Sequence, residues 1–246
     1  SSPDYIDKYK TLLKDGSQWG ISIEYFIQEE PKGIADAFLI CEKFINKDNV
    51  CLILGDNIFY GELKLGDTVD NFENGAHIFT YFVEDPQNFG VLDIHRNKVI
   101  DIKEKPKNPT SNHMIPGLYI YDNTVIDKTK SLKHSNRGEL EITDINRLYL
   151  KEKNIEIEDL GRGTVWFDAG TCSALQKASE FIRTIEERQR YKIACIEEIC
   201  IKQNYMSYRQ LANQINSIPD SEYKDYLKLI QSLKNDWFSV KKKFKI

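Results

Sequence analysis

Apolar positions in the first part of the chain pass from strand-like runs to helical spacing and back. Ser22-Ile23-Glu24-Tyr25-Phe26-Ile27 reads as a strand, and Gly33 opens Ile34 to Phe44, where Ala35, Ala37, Phe38 and Cys41 follow a helical period. Val50 to Leu54 is a continuous apolar run closed by Gly55-Asp56-Asn57, the pattern of a strand buried on both faces under helices. Strand, helix, strand predicts an α/β layer architecture. The middle of the chain changes character: Ala76 to Val83, Gly90 to Ile94, Lys98 to Lys103 and Gly117 to Tyr121 are strand-like, parted by turn residues such as Asp85-Pro86 and Arg96-Asn97. These strands extend the sheet with antiparallel pairs. Glu139 to Lys151 reads as a helix, Ile155 to Leu160 and Thr164 to Phe167 as strands, and Cys172 to Arg190 as a longer helix. Beyond about residue 192 the pattern is helical, with Tyr226, Ile230, Leu233 and Trp237 on one apolar face and Lys241-Lys242-Lys243 as a solvated end.

Composition narrows the function classes. At 246 residues, 41% hydrophobic and 29% charged, the chain is long and apolar enough to bury a core without disulfide or metal staples; one domain suffices and two are allowed. The net charge of -4, from 34 basic and 38 acidic side chains, gives no global field for nucleic acid or an anionic membrane, so a small anionic ligand needs a local basic site. Cys41, Cys51, Cys172, Cys195 and Cys200 form no C-x-x-C pair and read as reduced thiols of a cytoplasmic protein. The four histidines, His77, His95, His113 and His134, are scattered, and neither H-E-x-x-H nor a serine nucleophile elbow occurs, which leaves zinc-hydrolase and serine-hydrolase readings unsupported. No apolar run approaches the roughly 20 residues that span a bilayer, and no signal peptide, repeat or low-complexity linker is evident.

A few polar residues fall where α/β folds place chemistry. Asp56 follows the apolar run directly, at the carboxyl edge of the sheet; it is either a ligand-side carboxylate or the acid of a Gly-Asp turn. Asp168, between a strand and a helix, is a second such carboxylate or a helix cap. Brought together from different strands, the two would suit a hard cation such as magnesium and the phosphates it bridges. Lys105, ahead of Pro106, is held at a sheet edge or exposed in a charged turn, and Arg137 at a helix start is a phosphate grip or a surface arginine. Gly33 either admits a ligand close to the backbone or makes a turn.

Taken in order, the segments resemble the sugar-1-phosphate nucleotidylyltransferases, in particular the bacterial glucose-1-phosphate thymidylyltransferase type. The resemblance is carried by Gln28-x-x-Pro31-x-Gly33-Ile34-Ala35-x-Ala37, Leu54-Gly55-Asp56-Asn57-x-x-Tyr60-Gly61, Phe89-Gly90-Val91, Glu104-Lys105-Pro106, Gly117-Leu118-Tyr119, Arg137-Gly138-Glu139-Leu140-Glu141-Ile142-Thr143-Asp144 and Trp166-x-Asp168-x-Gly170-Thr171. These cover nearly the whole chain in family order, and the R-G-E-L-E-I-T-D run is the most distinctive. The resemblance implies an α/β, Rossmann-like nucleotidyltransferase with a mixed, mostly parallel central sheet flanked by helices: a catalytic core over residues 1–190 and a helical assembly region over residues 191–246. It implies transfer of a thymidylyl group from dTTP to glucose 1-phosphate, with release of pyrophosphate, in a homo-oligomer (dimer or tetramer) whose product serves dTDP-rhamnose synthesis.

By position, the resemblance gives Asp56 and Asp168 to Mg2+ and Lys105 and Arg137 to neutralising the sugar phosphate, as the catalytic pair. Gln28 and Gly33 would face the thymine; Gly90, Glu104, Ile115 and Tyr119 would shape the glucosyl pocket, with Ile34 and Asn57 completing the substrate-binding set. A regulatory nucleotide site between subunits would draw on Tyr60, Gly61, Gly161, Arg162, Glu198 and Ile199, although Lys202 stands where the family commonly has arginine and Leu65 where it has histidine. Ala169 replaces the usual threonine after Asp168. The family's opening loop, G-G-x-G-T-R-L-x-P, has no counterpart in this sequence. That makes a non-catalytic sugar-nucleotide-binding subunit one alternative reading; within the enzyme class the alternative is uridylyl transfer.

Overall fold

A computed structural model describes residues 1–233; Trp237 and Lys241-Lys242-Lys243 lie outside the described residues. Along the chain run α1 (Pro3–Leu13), α2 (Asp36–Ile40), α3 (Glu42–Ile45), β1 (Val50–Ile53), β2 (Asn57–Tyr60), α4 (Leu65–Asn71), β3 (Ala76–Phe82), β4 (Gly90–His95) and β5 (Lys98–Glu104). There follow β6 (His113–Ile115), β7 (Leu118–Tyr121), α5 (Val125–Ser131), α6 (Ile142–Lys151), β8 (Ile155–Asp159), β9 (Val165–Asp168), α7 (Cys172–Gln189), α8 (Ile196–Lys202), α9 (Tyr208–Ser217) and α10 (Glu222–Leu233). The contacts divide the described residues into two compact units, residues 26–179 and residues 3–25 with 180–233.

In residues 26–179 the strands form a sheet ordered β1-β7-β3-β6-β4-β5, with β8 on β3 and a separate β2-β9 ribbon. Every ladder is antiparallel except β3 with β8, so the sheet is not the mostly parallel one expected. The connections explain this. β4 and β5 are joined by the Arg96-Asn97 turn, too short for anything but a reversal, β6 and β7 run on in one direction antiparallel to β3 across the Pro116-Gly117 break, and β8 comes to lie parallel to β3 after the excursion through α5 and α6. A further correction concerns β1, expected to be buried on both faces. It stands at the sheet edge with Cys51 exposed and Ile53 53% exposed, while Val50 and Leu52 pack on the core. Ser22 to Ile27 forms no ladder either: it has no regular secondary structure, and the Ile23 N–H donates to the Asp15 carbonyl instead of to a neighbouring strand. The helix expected over Ile34 to Phe44 is two short ones, broken at Cys41.

The core of this unit joins Ile78, Leu92, Ile102, Tyr119 and Tyr121 of the sheet to Phe38 of α2, Val125 of α5 and Ile145 and Tyr149 of α6. Asp122, just after β7, ties its corner down. Its carboxylate accepts from Gly75 N at 2.6 Å, Tyr149 Oη at 2.7 Å and Thr124 Oγ1 and N at 2.5 and 3.1 Å. Burial opposes its ionisation, but the Thr124, Gly75 and Tyr149 hydrogen bonds outweigh it and hold the group below its ordinary 3.8. A depressed folded value gives stability that is present above pH 3.8 and lost as pH falls through the lower folded value. Asp122→Asn is accordingly expected to cost about 2 kcal/mol at pH 7 and to flatten the acid limb, so that melting curves of the two proteins converge toward pH 2. Parallel acid limbs would remove Asp122 as their cause.

The other unit is helical. Leu211 and Ile215 of α9, Tyr226, Leu227 and Ile230 of α10 and Cys200 and Ile201 of α8 form its core. Leu233 continues the Tyr226–Ile230 face and is partly buried. A capping box at Ser207 and Gln210 starts α9.

Candidate active site

The two aspartates meet where the β2-β9 ribbon begins. Asn57 pairs with Asp168 in its register, and the Asp56 carbonyl accepts from Ala169 N at 2.7 Å, which brings the two segments side by side. Between the carboxylates sits Gly170: a side chain there would start 3.0 Å from Asp168 Oδ1 and 3.4 Å from Asp56 Oδ2. Neither aspartate caps α7, because Thr171 Oγ1 accepts from Ala174 N, while Asp168 Oδ1 accepts from Gly170 N at 2.9 Å. Asn57 fixes the arrangement. Its Oδ1 accepts from Gly117 N at 2.9 Å and Trp166 Nε1 at 2.7 Å, which turns its Nδ2 toward Asp56 Oδ1 at 2.8 Å. Two carboxylates that face one another across an empty glycine suit a hard divalent cation whose remaining ligands are phosphate oxygens and water. No cluster of three or more metal-ligating side chains occurs among the described residues.

The opposite wall comes from β4, β5 and the start of α6. Gly90 pairs with Glu104, and a Cβ on Gly90 would stand 2.9 Å from Thr143 Oγ1, so glycine lets the helix close on the hairpin. Thr143 Oγ1 donates to Glu104 Oε2 at 2.5 Å, and Arg137 Nη2 lies 3.3 Å from Glu104 Oε1. Arg137 also contacts Glu139 at 3.2 Å and grips Glu141 through Nη2 at 2.7 Å and Nε at 3.2 Å. The Glu141 hydrogen bond and the three neighbouring carboxylates raise its pKa further. Arg137 precedes α6 by five residues and so does not stand at the helix start itself, and its side-chain partners are the carboxylates of Glu104, Glu139 and Glu141. Lys105 is exposed and adopts a left-handed φ of 40°, with its N–H on the Phe89 carbonyl at 3.0 Å. Tyr119 is buried, and burial together with Glu104 pushes its phenol up.

Ile34, Asp56, Asn57, Gly90, Glu104, Lys105, Ile115, Tyr119, Arg137 and Asp168 all line one cavity of about 190 Å³. Gln28 and Gly33 do not line it: Gln28 Nε2 donates to the Gly33 carbonyl at 3.1 Å and to Asp36 Oδ2 at 2.9 Å, and Gly33 packs on the Leu140 backbone. Thr143 and Trp166, which the sequence offers only as motif residues, and Asn146, which falls in no motif, also line the cavity. Thr143 and Asn146 share a helix with the core residues Ile142, Ile145 and Tyr149, and nothing in their spacing sets them apart. The lining carries five carboxylates (Asp56, Glu104, Glu139, Glu141, Asp168) against two cations, Lys105 and Arg137, so polyanionic ligands must bring positive charge with them.

The residues assigned to a regulatory site divide between the two units. Tyr60, Gly61, Gly161 and Arg162 belong to residues 26–179, where the Gly161 N–H meets Asp159 Oδ1 at 2.9 Å. Glu198 and Ile199 stand on α8 of the helical unit; Glu198 accepts from Tyr226 Oη at 2.5 Å and pairs with Lys202 at 2.8 Å, and Ile199 is exposed.

Comparison with known proteins fits this geometry. The nucleotidyl transferase family model matches residues 2–185. Glucose-1-phosphate thymidylyltransferase of Neisseria meningitidis is 42% identical over 231 residues, 92% of this chain and 80% of that protein. A crystal structure from Bacillus anthracis, described as a glucose-1-phosphate thymidylyltransferase in complex with a sucrose, is 39% identical with a TM-score of 0.67 over 73% of each chain. UDP-glucose pyrophosphorylase complexed with UDP-glucose, at 21% identity and a TM-score of 0.58 over 65% of this chain and 66% of that one, shares the fold alone. The chain belongs to the nucleotidyl transferase family, in the group of the glucose-1-phosphate thymidylyltransferases.

Proposed function

We propose that this protein transfers a thymidylyl group from dTTP to glucose 1-phosphate, yielding dTDP-glucose and pyrophosphate. The observation that carries the reading is the convergence of the Asp56–Asp168 pair and the Lys105–Arg137 pair on one cavity. A magnesium ion held by Asp56 and Asp168 would supply the positive charge that the acidic lining denies to the nucleotide phosphates. Lys105 and Arg137 receive the sugar phosphate, Arg137 from a guanidinium already oriented by Glu141. One oxygen of that phosphate bonds to the α-phosphorus as the bond to the β-phosphate oxygen breaks, and pyrophosphate leaves. The nucleophile is ionised at neutral pH, so alignment and charge neutralisation do the work and no histidine base is needed. Glu104, Gly90, Ile115 and Tyr119 hold the hexose, Asn57 steadies Asp56, and Ile34, Gln28 and Gly33 form the nucleoside side. We also assign the protein to the cytoplasm as a homo-oligomer, with Tyr60, Gly61, Gly161, Arg162, Glu198 and Ile199 as its regulatory nucleotide residues.

The test is pyrophosphate release with glucose 1-phosphate and each of dTTP, UTP, ATP and GTP, with and without magnesium. The expected outcome is metal-dependent release with dTTP at least about tenfold faster than with UTP, a margin of roughly 1.4 kcal/mol. A UTP preference would make the protein a uridylyltransferase, and thermal stabilisation by dTDP-glucose without any release would make it a binding subunit.

A further inference from the structure

One polar group of the cavity wall has no protein partner. Asn146, on α6 one turn beyond Thr143, lines the cavity and is 1% exposed, and its Nδ2 is a buried donor without an acceptor. Its other amide atom is committed. Tyr121 Oη donates to Asn146 Oδ1 at 2.5 Å, and the Tyr121 ring is itself stacked against Tyr119 at 6.0 Å and Tyr149 at 5.6 Å, so the phenol that meets the amide is held in place. Burial, with Tyr119 and Tyr149 alongside, pushes the Tyr121 phenol well up, so it retains a proton to donate. An orphaned buried donor costs on the order of 1–3 kcal/mol, and an apolar side chain of the same shape would avoid that cost. The donor is therefore explained by an acceptor that arrives with a ligand. The neighbouring wall groups complement it: Glu104 offers only acceptor oxygens, and a sugar hydroxyl both donates and accepts.

We infer that Asn146 is a specificity-determining residue for the sugar, donating from Nδ2 to one hydroxyl oxygen of the hexose 1-phosphate. This rests on the proposed transfer reaction and adds to it a contact that reads the hexose. The test compares kcat/KM for glucose 1-phosphate and its 2-, 3-, 4- and 6-deoxy analogues in the wild type, Asn146→Asp and Asn146→Ser, the serine variant guarding against failure of the buried carboxylate to fold. The wild type is expected to lose about tenfold or more on one analogue, and the variants less than about twofold on that same analogue, with the other three ratios unchanged. The variants' loss on glucose 1-phosphate itself falls on KM, with kcat held within about threefold. Identical analogue patterns in wild type and variants overturn the assignment and leave a bound water as the partner of Nδ2. No pyrophosphate release by the wild type with any sugar phosphate overturns the transfer reaction, and the Asn146 contact with it.

Discussion

Asp56→Asn and Asp168→Asn are each expected to lower kcat/KM roughly a thousandfold, about 4 kcal/mol of transition-state stabilisation, while the fold stays intact. Asparagine keeps the shape and the existing hydrogen bonds: its carbonyl oxygen can accept from Asn57 Nδ2 at position 56 and from Gly170 N at position 168. What it removes is one of two negative charges facing each other across Gly170. Without divalent ions the wild type bears that repulsion unrelieved, so either variant should melt at the wild-type temperature or slightly above it. With magnesium and dTTP the order reverses, because the wild type gains ligand stabilisation that the variants lack. Thermal scans with and without the metal, beside steady-state turnover, test both halves. Turnover within about tenfold of wild type would show that the carboxylates do not hold the metal.

Much of this site could be read from the sequence, and for a physical reason. Asp168 ends an apolar strand and Asp56 follows one within three residues, and the turn at a strand end puts a polar side chain at the sheet edge wherever the strand lies in the order. The local pattern was enough. The hairpin β4-β5 was likewise visible, because the Arg96-Asn97 turn and the alternation around it are properties of adjacent residues. Strand direction and burial were not visible, since they depend on which distant strands pair. Val50 to Ile53 is as apolar as a central strand, yet among the described residues only β7 lies beside it, and Ile53 is left exposed. Ser22 to Ile27 has strand composition and no ladder, because β propensity is worth little without a partner. The Asn57 junction and the orphaned Asn146 donor were hidden for a related reason. Trp166, Gly117 and Tyr121 reach these amides from far along the chain, and an amide side chain carries no local sign of what it bonds.

Gly33→Ala tests how the 32–35 segment supports Arg137, and it is expected to be the most destabilising single-methyl change near the site. Gly33 has φ of 100°, and a Cβ there would overlap the Leu140 carbonyl oxygen while lying 2.8 Å from Leu140 N and 3.1 Å from Glu139 Cβ. Those atoms cannot yield easily. Leu140 N donates to the Lys32 carbonyl at 2.7 Å, and the Leu140 carbonyl accepts from Ala35 N, so the 32–35 segment is laced to Leu140 on both sides. The left-handed backbone costs an alanine about 1 kcal/mol and the overlap about 2 more, roughly 3 kcal/mol together, or a drop in Tm of roughly 6–12 °C. Gly138→Ala separates the two contributions, since Gly138 also has positive φ, at 79°, but nothing lies within 4 Å of its Cβ position; it should lose only the first. The displacement also reaches the chemistry. Leu140 lies between Glu139 and Glu141, which hold the Arg137 guanidinium, so a shift of that segment by about 1 Å misplaces the cation and should cost on the order of a hundredfold in kcat even where the variant is folded. If Gly33→Ala melts like Gly138→Ala and turns over normally, the Leu140 contact is not what the glycine serves.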